Sequence, residues 1–440
     1  MTENLTLDKI IGRFQESWEQ LPDYRKPSNN TKYRVADGAC GAFSVFFMQS
    51  PSFLAHQRDL NKRKGKDNAT NLFGIRKLPS DAQIRNLLDP ITPDHFHKEF
   101  NWLHEQLTAS GEMASFADYR GLQIIAFDGS DYHSSKNIGC DNCTKRKDRA
   151  GVTHYYHKAV IPVVVKPGSK HVLSLPPECI VPQDGHKKQD CERAAVKRWL
   201  KRHHVQKEPH CFIYLGDDLY ANHPLCQLID VTYQQYFIFV CKPDSHKELY
   251  RYLDSPDGIK ATQVKRKRKW NGRHGEIWTY RFANDVPIRG GKDAMRVNWF
   301  ELVITHEDDE TVLFHNSWVS NLPVTRSDVA QLAKIGRARW KVENESINVL
   351  KTKGYNLEHN FGHGKQHLSN VFFTLNLLAF LVHTVQHLVN RSYRLLRETL
   401  AVRRTFFNDL RALTRYLVFT DWDSLFEFML DGLELALPPP

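Results

Sequence analysis

Three acidic residues that are far apart in the chain could together bind divalent cations. Asp128 follows an apolar run at 122–127 and Asp217 follows another at 211–216, so each aspartate is predicted to end a buried strand. Glu343 lies in a predicted helix among basic and apolar residues. Carboxylates that meet at one edge of a sheet repel each other, and hard cations such as Mg²⁺ or Mn²⁺ relieve this repulsion. Two such ions held by three carboxylates can catalyse phosphoryl transfer.

Each of these acids also has an ordinary structural interpretation. An aspartate at the end of a strand is typical of a turn. Arg339, four residues before Glu343, could form an ion pair with it on one face of the helix. Two neighbours compete for the same roles, because Asp218 adjoins Asp217 and Glu345 lies two residues past Glu343. We favour Asp217 for its place at the strand end, and Glu343 because Glu345 lies about 200° around the helix.

The elements that must position these acids follow a mixed order. Three strands, a helix over 191–203 and a fourth strand are predicted between residues 119 and 230. We divide the chain into five regions. A helical N-terminal region at 1–118, which is a candidate for DNA binding, is followed by the first part of a catalytic core at 119–230 and a β-rich insertion at 231–325. Core helices with Glu343 at 326–390 and a helical C-terminal region at 391–440 complete the chain. The predicted fold class is α/β, with a mixed sheet flanked by helices.

An excursion at 138–158, between the first two predicted strands, carries a second set of ligands. Cys140 and Cys143, followed by His154 and His157, have the spacing C-x2-C-x10-H-x2-H, which is close to that of structural zinc sites. A Zn²⁺ ion would fold a polar loop that lacks apolar residues of its own. His133 is a possible substitute ligand. The alternative is a pair of free thiols, with both histidines on a strand.

The charge of the chain favours an anionic partner. The net charge over 440 residues is +11, which is typical of proteins that bind nucleic acid but is not restricted to them. The densest basic run lies in the β-rich insertion and consists of Lys265, Arg266, Lys267, Arg268 and Lys269. These side chains could bind a phosphate backbone. The alternative is a solvated loop.

The cysteines and the apolar segments indicate the compartment. The eight cysteines are predicted to be reduced, buried thiols rather than disulfides. The N-terminus has no signal-peptide pattern. The longest apolar stretch, at 371–382, is interrupted by Thr374 and Asn376 and is too short to span a bilayer. We therefore expect a cytoplasmic protein with no membrane partner.

Three segments around the acidic residues resemble the motifs of a known family. They are residues 125–129, 214–220 and 339–343. Over roughly residues 120–390 the chain resembles bacterial insertion-sequence transposases of the DDE type, and among them insertion sequence family four, whose acidic helix carries a Tyr, Arg, Glu, Lys signature. The resemblance implies an RNase H-like mixed sheet. It also implies that Asp128, Asp217 and Glu343 hold two Mg²⁺ or Mn²⁺ ions.

The signature of that branch is matched in part. Arg339 takes the arginine position, and the resemblance implies that it contacts a DNA phosphate beside Glu343. The lysine position, seven residues after Glu343, is Leu350, and Lys351 follows one place later as our candidate DNA contact. The tyrosine position is Gly336.

Four further side chains could contact a substrate. Trp299 and Trp318 lie in the region where members of the family place a residue that stacks on a displaced base, although both are also typical core residues. His359 and His363 follow the acidic helix in a glycine-containing loop and could touch substrate or transfer a proton. Loop histidines without such a role are also common.

The resemblance implies a reaction and its partners. The protein would bind double-stranded DNA at the ends of a mobile element, cleave phosphodiester bonds there and transfer the freed 3′ ends to target DNA. It would act as a homodimer on DNA, in the cytoplasm of a bacterium and in association with the nucleoid. Two alternatives remain open: a stand-alone RNase H-like, metal-dependent DNA nuclease, and a non-catalytic DNA-binding protein derived from a transposase.

Overall fold

The computed structural model describes residues 3–27, 31–60, 67–182, 190–204 and 208–437. Its strands form one sheet and are β1 (Gln123–Ser135), β2 (Thr144–Lys147), β3 (Thr153–Val165), β4 (Leu173–Ser174), β5 (Glu178–Ile180), β6 (Phe212–Gly216), β7 (Tyr236–Val240), β8 (Gln263–Trp270), β9 (Gly275–Pro287), β10 (Arg296–His306) and β11 (Val312–Ser320).

The α-helices lie before the sheet, between its strands and after it. They are α1 (Leu7–Trp18), α2 (Val35–Phe47), α3 (Phe53–Asp59), α4 (Asn68–Phe73), α5 (Asp81–Leu88), α6 (His97–Ala109), α7 (Glu192–His204), α8 (His223–Gln227), α9 (Lys247–Leu253), α10 (Pro256–Ala261), α11 (Val329–Arg337), α12 (Asn348–Thr352), α13 (Leu368–Val389), α14 (Arg391–Thr399), α15 (Arg403–Tyr416) and α16 (Trp422–Gly432).

The centre of the sheet has mixed polarity. Strand β1 pairs antiparallel with β3 on one side and parallel with β6 on the other, and β6 pairs parallel with β7. The short strands β4 and β5 both pair with β3, and α7 connects β5 to β6. Three antiparallel strands followed by a helix and two parallel strands form the RNase H-like arrangement. The predicted α/β fold class is confirmed.

The β-rich insertion continues the same sheet. Strand β11 pairs antiparallel with β7, and β10, β9 and β8 follow in that order, each antiparallel to its neighbour. The basic run at 265–269 lies within β8, which is the last strand, so its interpretation as a solvated loop is wrong. Lysines and arginines along an edge strand discourage pairing with a second sheet, which gives the run a structural role of its own.

Helices from both ends of the chain share one core around α13. The Asn68 side chain, in α4, donates hydrogen bonds to the carbonyl oxygens of Thr414 at 2.9 Å and Leu417 at 2.8 Å. The indole of Trp422, in α16, donates to the carbonyl oxygen of Leu72 at 2.8 Å. The N-terminal and C-terminal helices therefore pack against each other.

Helix α13 extends at both ends beyond the apolar stretch at 371–382. It extends over 22 residues because Thr374 and Asn376 do not interrupt it: the Thr374 hydroxyl donates to the carbonyl of Asn370, and the Asn376 amide donates to that of Tyr355. By length and composition α13 could cross a membrane, so the expectation that this segment is too short is wrong. Its most apolar window is 94% buried inside the fold, as in a central core helix.

Candidate functional site

Asp128 and Asp217 lie side by side on neighbouring parallel strands. Strands β1 and β6 pair with Ala126 opposite Leu215, so the same register, continued by two residues, places Asp128 beside Asp217. Asp217 directly follows the last residue of β6, as predicted. Asp128 does not end its strand, because β1 runs on to Ser135 through its antiparallel pairing with β3. The sequence prediction of a short strand ending at Asp128 is therefore wrong.

Glu343 lies on a π-helical segment rather than on a regular α-helix. The helix that was predicted to be continuous is interrupted after α11, and residues Val342–Ile347 form the π-helical segment before α12. This segment packs against β1 and β3, which brings Glu343 to the strand that carries Asp128. The Glu343 side chain is exposed, so it is accessible to a substrate. Short π-helical segments occur frequently at functional sites.

Arg339 pairs with Asp128 instead of Glu343. Its Nη1 atom lies 3.5 Å from Oδ2 of Asp128, and the two side chains are 15% and 20% exposed. Residues 338 and 339 form the turn between α11 and the π-helical segment, so the regular i,i+4 relation to Glu343 is lost. In the described part of the chain the predicted Arg339–Glu343 ion pair is absent. The guanidinium instead neutralises part of the charge at the sheet edge.

The acidic residues influence one another electrostatically. Burial raises the pKa of the Asp128 carboxyl to about 6; Arg339 opposes this shift, while Asp217, Glu192 and Glu343 add to it. Burial is the largest cause of the raised pKa, and the three neighbouring carboxylates act in the same direction. The oxygen-only donor set and the mutual repulsion fit a hard divalent cation such as Mg²⁺ or Mn²⁺.

Glu192 is an acidic neighbour that the sequence analysis did not identify. It is the first residue of α7, and burial, followed by the charge of Asp217, raises its pKa. A Cβ atom on Gly129 would lie 2.3 Å from the Glu192 carboxyl carbon, so the glycine next to Asp128 leaves room for this carboxylate. No sequence spacing relates Glu192 to the triad, because the contact arises only when α7 folds across the sheet.

The two competing acids make contacts elsewhere. Asp218 accepts hydrogen bonds from the Lys242 backbone N–H at 2.6 Å and from the Ser245 hydroxyl, which fixes the loop after β7. Glu345 lines a separate cavity together with Lys170 and other basic residues. Both acids thus have contacts that do not involve Asp128.

The positions that depart from the family signature have physical explanations. Gly336 is packed against the indole of Trp318, and a Cβ atom there would lie 2.6 Å from the indole nitrogen, so a tyrosine does not fit. Leu350 is fully buried. Lys351 is partly exposed, and its Nζ atom lies 2.8 Å from a carboxylate oxygen of Glu358.

The tryptophans proposed to stack on a base are both core residues. Trp299 and Trp318 are 1% and 0% exposed, and the ring of Trp318 stacks against that of Phe300 with centroids 5.4 Å apart. Neither indole face is available to a nucleotide in this structure.

The basic residues of β8 form contacts along the edge of the insertion. The Lys265 Nζ atom donates to the Arg326 carbonyl at 2.7 Å, Arg268 pairs with Glu307, and the Lys269 Nζ atom lies 3.2 Å from the Trp278 ring centroid. The strand as a whole is largely exposed. A row of cations along an exposed edge is suited to contact with a polyanion.

The predicted zinc ligands are brought together in part. Cys140, Cys143 and His157 converge, but the fourth member of the cluster is His363, from the loop between α12 and α13. His154 points elsewhere and pairs with Asp148 at 3.0 Å, so its assignment as a ligand is wrong. Successive side chains in a strand point to opposite faces, and residues three apart, such as His154 and His157, therefore diverge.

His133, the substitute ligand proposed from the sequence, lies just outside this cluster. Its ring centroid is 4.6 Å from that of His363. Among the described residues, Cys140, Cys143, His157 and His363 form the one group of His, Cys, Asp or Glu whose ligand atoms all lie within 4.8 Å of one another.

All eight cysteines are free thiols, in agreement with the prediction of reduced cysteines. Their burial varies: Cys40, Cys143, Cys226 and Cys241 are buried, whereas Cys191 is exposed, so the prediction that all are buried is wrong.

Part of the chain matches a known family model. Residues 173–381 match a family model described as a transposase DDE domain. The match supports a DDE transposase. It includes Asp217, Glu343 and His363 and begins after Asp128. No curated protein matches the chain. A DDE transposase domain indicates a DNA-cleaving, metal-dependent enzyme in general.

Proposed function

We propose that this protein is a transposase that binds the ends of a mobile DNA element, cleaves phosphodiester bonds there and transfers the 3′ ends to target DNA. The observation that carries the proposal is the register of β1 and β6, which sets Asp128 beside Asp217 at the edge of an RNase H-like sheet, with the segment that carries Glu343 packed against β1. Asp128, Asp217 and Glu343 would hold two Mg²⁺ or Mn²⁺ ions, with Glu192 beside them. When bound, such ions supply positive charge to the phosphate and to the attacking and leaving oxygens.

The protein's own residues would bind and orient the DNA. Arg339 already lies at the acidic edge, where its guanidinium can form paired hydrogen bonds with a phosphate. Lys351 lies eight residues after Glu343, one residue later than the lysine of the family signature. The π-helical segment between them offers a reason for this extra residue, because a π-helical turn contains about one more residue than an α-helical turn. The basic run at 265–269 would contact the DNA backbone farther along the sheet.

The remaining parts of the proposal concern partners and place. The net charge of +11 supports binding to double-stranded DNA. Two element ends must be cut together, so we propose a homodimer on DNA. We also propose a bacterial origin, affiliation with insertion sequence family four, and a cytoplasmic location in association with the nucleoid.

The test is a cleavage and joining assay with DNA that carries the inverted repeats flanking the gene. Wild-type protein should cleave at the repeat ends and join them to a target plasmid only when Mg²⁺ or Mn²⁺ is present. Asp128→Asn, Asp217→Asn and Glu343→Gln should each abolish both steps. Two matched controls should retain activity: Asp131→Asn, on the same strand as Asp128, and Glu345→Gln, two residues from Glu343.

Three outcomes would contradict the proposal. Activity retained in all three triad variants would remove the catalytic assignment. Cleavage without joining would indicate the stand-alone nuclease. Specific DNA binding with neither reaction would indicate a non-catalytic protein derived from a transposase.

A further inference from the structure

We propose that Cys140, Cys143, His157 and His363 bind one structural zinc ion that fastens the loop after the acidic helix to the strand pair carrying Asp128. The four residues come from three separate segments. The cysteines lie in the turn before β2, His157 lies in β3, and His363 lies between α12 and α13. This site is separate from the acidic edge, and it has a different donor chemistry.

The spacing of the ligand atoms is that of a tetrahedral site. The Sγ atoms of the two cysteines are 3.9 Å apart, the Nε2 atom of His157 lies 3.5 and 3.4 Å from them, and Nε2 of His363 lies 3.4 Å from Sγ of Cys143. The two Nε2 atoms are 3.0 Å apart. Zinc bonds of about 2.3 Å to sulfur and about 2.05 Å to nitrogen require separations of about 3.8 Å between two sulfurs, about 3.6 Å between sulfur and nitrogen and about 3.3 Å between two nitrogens.

The hydrogen bonds around the cluster orient its ligand atoms inward. Nδ1 of His363 donates to the carbonyl oxygen of Gly364 at 3.0 Å, which leaves the lone pair of Nε2 directed at the cluster. The backbone N–H of Cys140 donates to Sγ of Cys143 at 3.4 Å, which stabilises a thiolate at that position. Neighbours that fix a histidine tautomer in this way are characteristic of metal ligands.

Burial distinguishes a structural site from a catalytic one. Cys143, His157 and His363 are 0%, 1% and 6% exposed. Four protein ligands complete a tetrahedron and leave no position for a substrate. The two imidazole Nε2 atoms face each other in this buried site, and a shared cation would accept the lone pairs of both.

The contacts around the site explain what the ion would connect. Asn142, between the two cysteines, donates to the carbonyl oxygen of Gln366 at 2.6 Å, so the cysteine turn already lies against the His363 loop. Gly362 and Gly364, on either side of His363, have φ angles of 151° and 71°, which glycine adopts readily. The zinc ion would therefore hold the chain after Glu343 against β3, the neighbour of the strand with Asp128.

The experiment is metal analysis of the full-length protein purified without chelator. Wild-type protein should contain about one zinc per chain. Cys143→Ala and His363→Ala should lower this content at least tenfold, whereas His154→Ala, on the same strand as His157, should leave it unchanged. Replacement of zinc by Co²⁺ should give the visible absorption of a tetrahedral ion with two thiolate ligands.

The proposal can still be tested if one of these variants fails to fold. If His363→Ala is insoluble, His363→Cys supplies a substitute ligand and should retain zinc, and a thiol-modifying reagent should release one zinc from wild-type protein. Folded wild-type protein without zinc, a Cys140–Cys143 disulfide, or loss of zinc in His154→Ala but not in His363→Ala would overturn the proposal. None of these readouts depends on DNA cleavage, so the zinc site and the proposed function can fail separately.

Discussion

Replacement of Arg198 by methionine should strongly destabilise the protein and loosen the helix that carries Glu192. In α7, Arg198 donates to both carboxylate oxygens of Asp190, at 3.2 and 2.7 Å, and its Nε atom donates to Glu178 at 2.8 Å. The side chains of Asp190 and Glu178 are only 1% and 5% exposed. Glu178 retains a second partner in Arg202, whereas Asp190 would be left without its arginine.

The magnitude follows from the burial of the carboxylates. Removal of one partner of a buried ion pair costs about 3–5 kcal/mol, because the remaining charge is left uncompensated. The Arg198 side chain is itself 28% exposed, so water reaches part of the network. We therefore expect a loss of about 3 kcal/mol in the free energy of unfolding, the lower end of this range.

The assay is equilibrium unfolding in urea, followed by circular dichroism at pH 7. Arg198→Met should lose about 3 kcal/mol in the free energy of unfolding. Lys197→Met changes an exposed neighbour on the same helix and should unfold like wild type. In the double variant with Asp190→Asn the uncompensated charge is gone, so part of the stability should return. An Arg198→Met variant as stable as wild type, or no recovery in the double variant, would refute the reasoning.

Three further predictions concern other parts of the fold. Burial lowers the pKa of His56 to about 3, so at this residue only the unfolded chain gains a proton as the pH falls below about 6.5. The contribution of His56 to stability should therefore fall by about 2 kcal/mol between pH 7 and pH 5, measured in urea unfolding as the difference in pH dependence between wild type and His56→Asn. Gly336→Ala places a methyl group 2.6 Å from the Trp318 indole nitrogen and should cost about 1–3 kcal/mol in thermal unfolding; an unchanged melting temperature would contradict this packing. Gly129→Ala displaces the flexible Glu192 side chain while the protein stays folded, and it should slow DNA cleavage by on the order of 100-fold; wild-type rates would exclude a role for this packing.

The triad shows what sequence patterns can and cannot predict about this site. Asp217 follows its strand as predicted, because an apolar run bounded by turn residues is a local signal. The extent of β1 beyond Asp128 depends on pairing between residues such as Ser130 and Ala159, and the polar residues there give no strand signal. The π-helical segment under Glu343 is likewise not visible in helical periodicity, which assumes a constant turn.

Among the ligands of the proposed zinc site, some can be recognised from the sequence and others are brought there only by the fold. Cys140 and Cys143 are recognisable from the sequence because their spacing lets one tight turn present both sulfurs. His363 lies 220 residues after Cys143, and only the packing of the loop before α13 brings it there. His154 has the better sequence spacing, but strand geometry turns it away from the cluster.

The sequence alone determined the α/β fold class, the basic charge and the place of Asp217 at the end of a buried strand, since these follow from composition and local periodicity. The tertiary structure decided that Arg339 pairs with Asp128, that Glu192 joins the acidic edge, that the basic run is an edge strand and that His363 completes the cysteine cluster. The physical reason is that these contacts join segments far apart in the chain, and their geometry is set by strand register and helix packing rather than by the residues on either side.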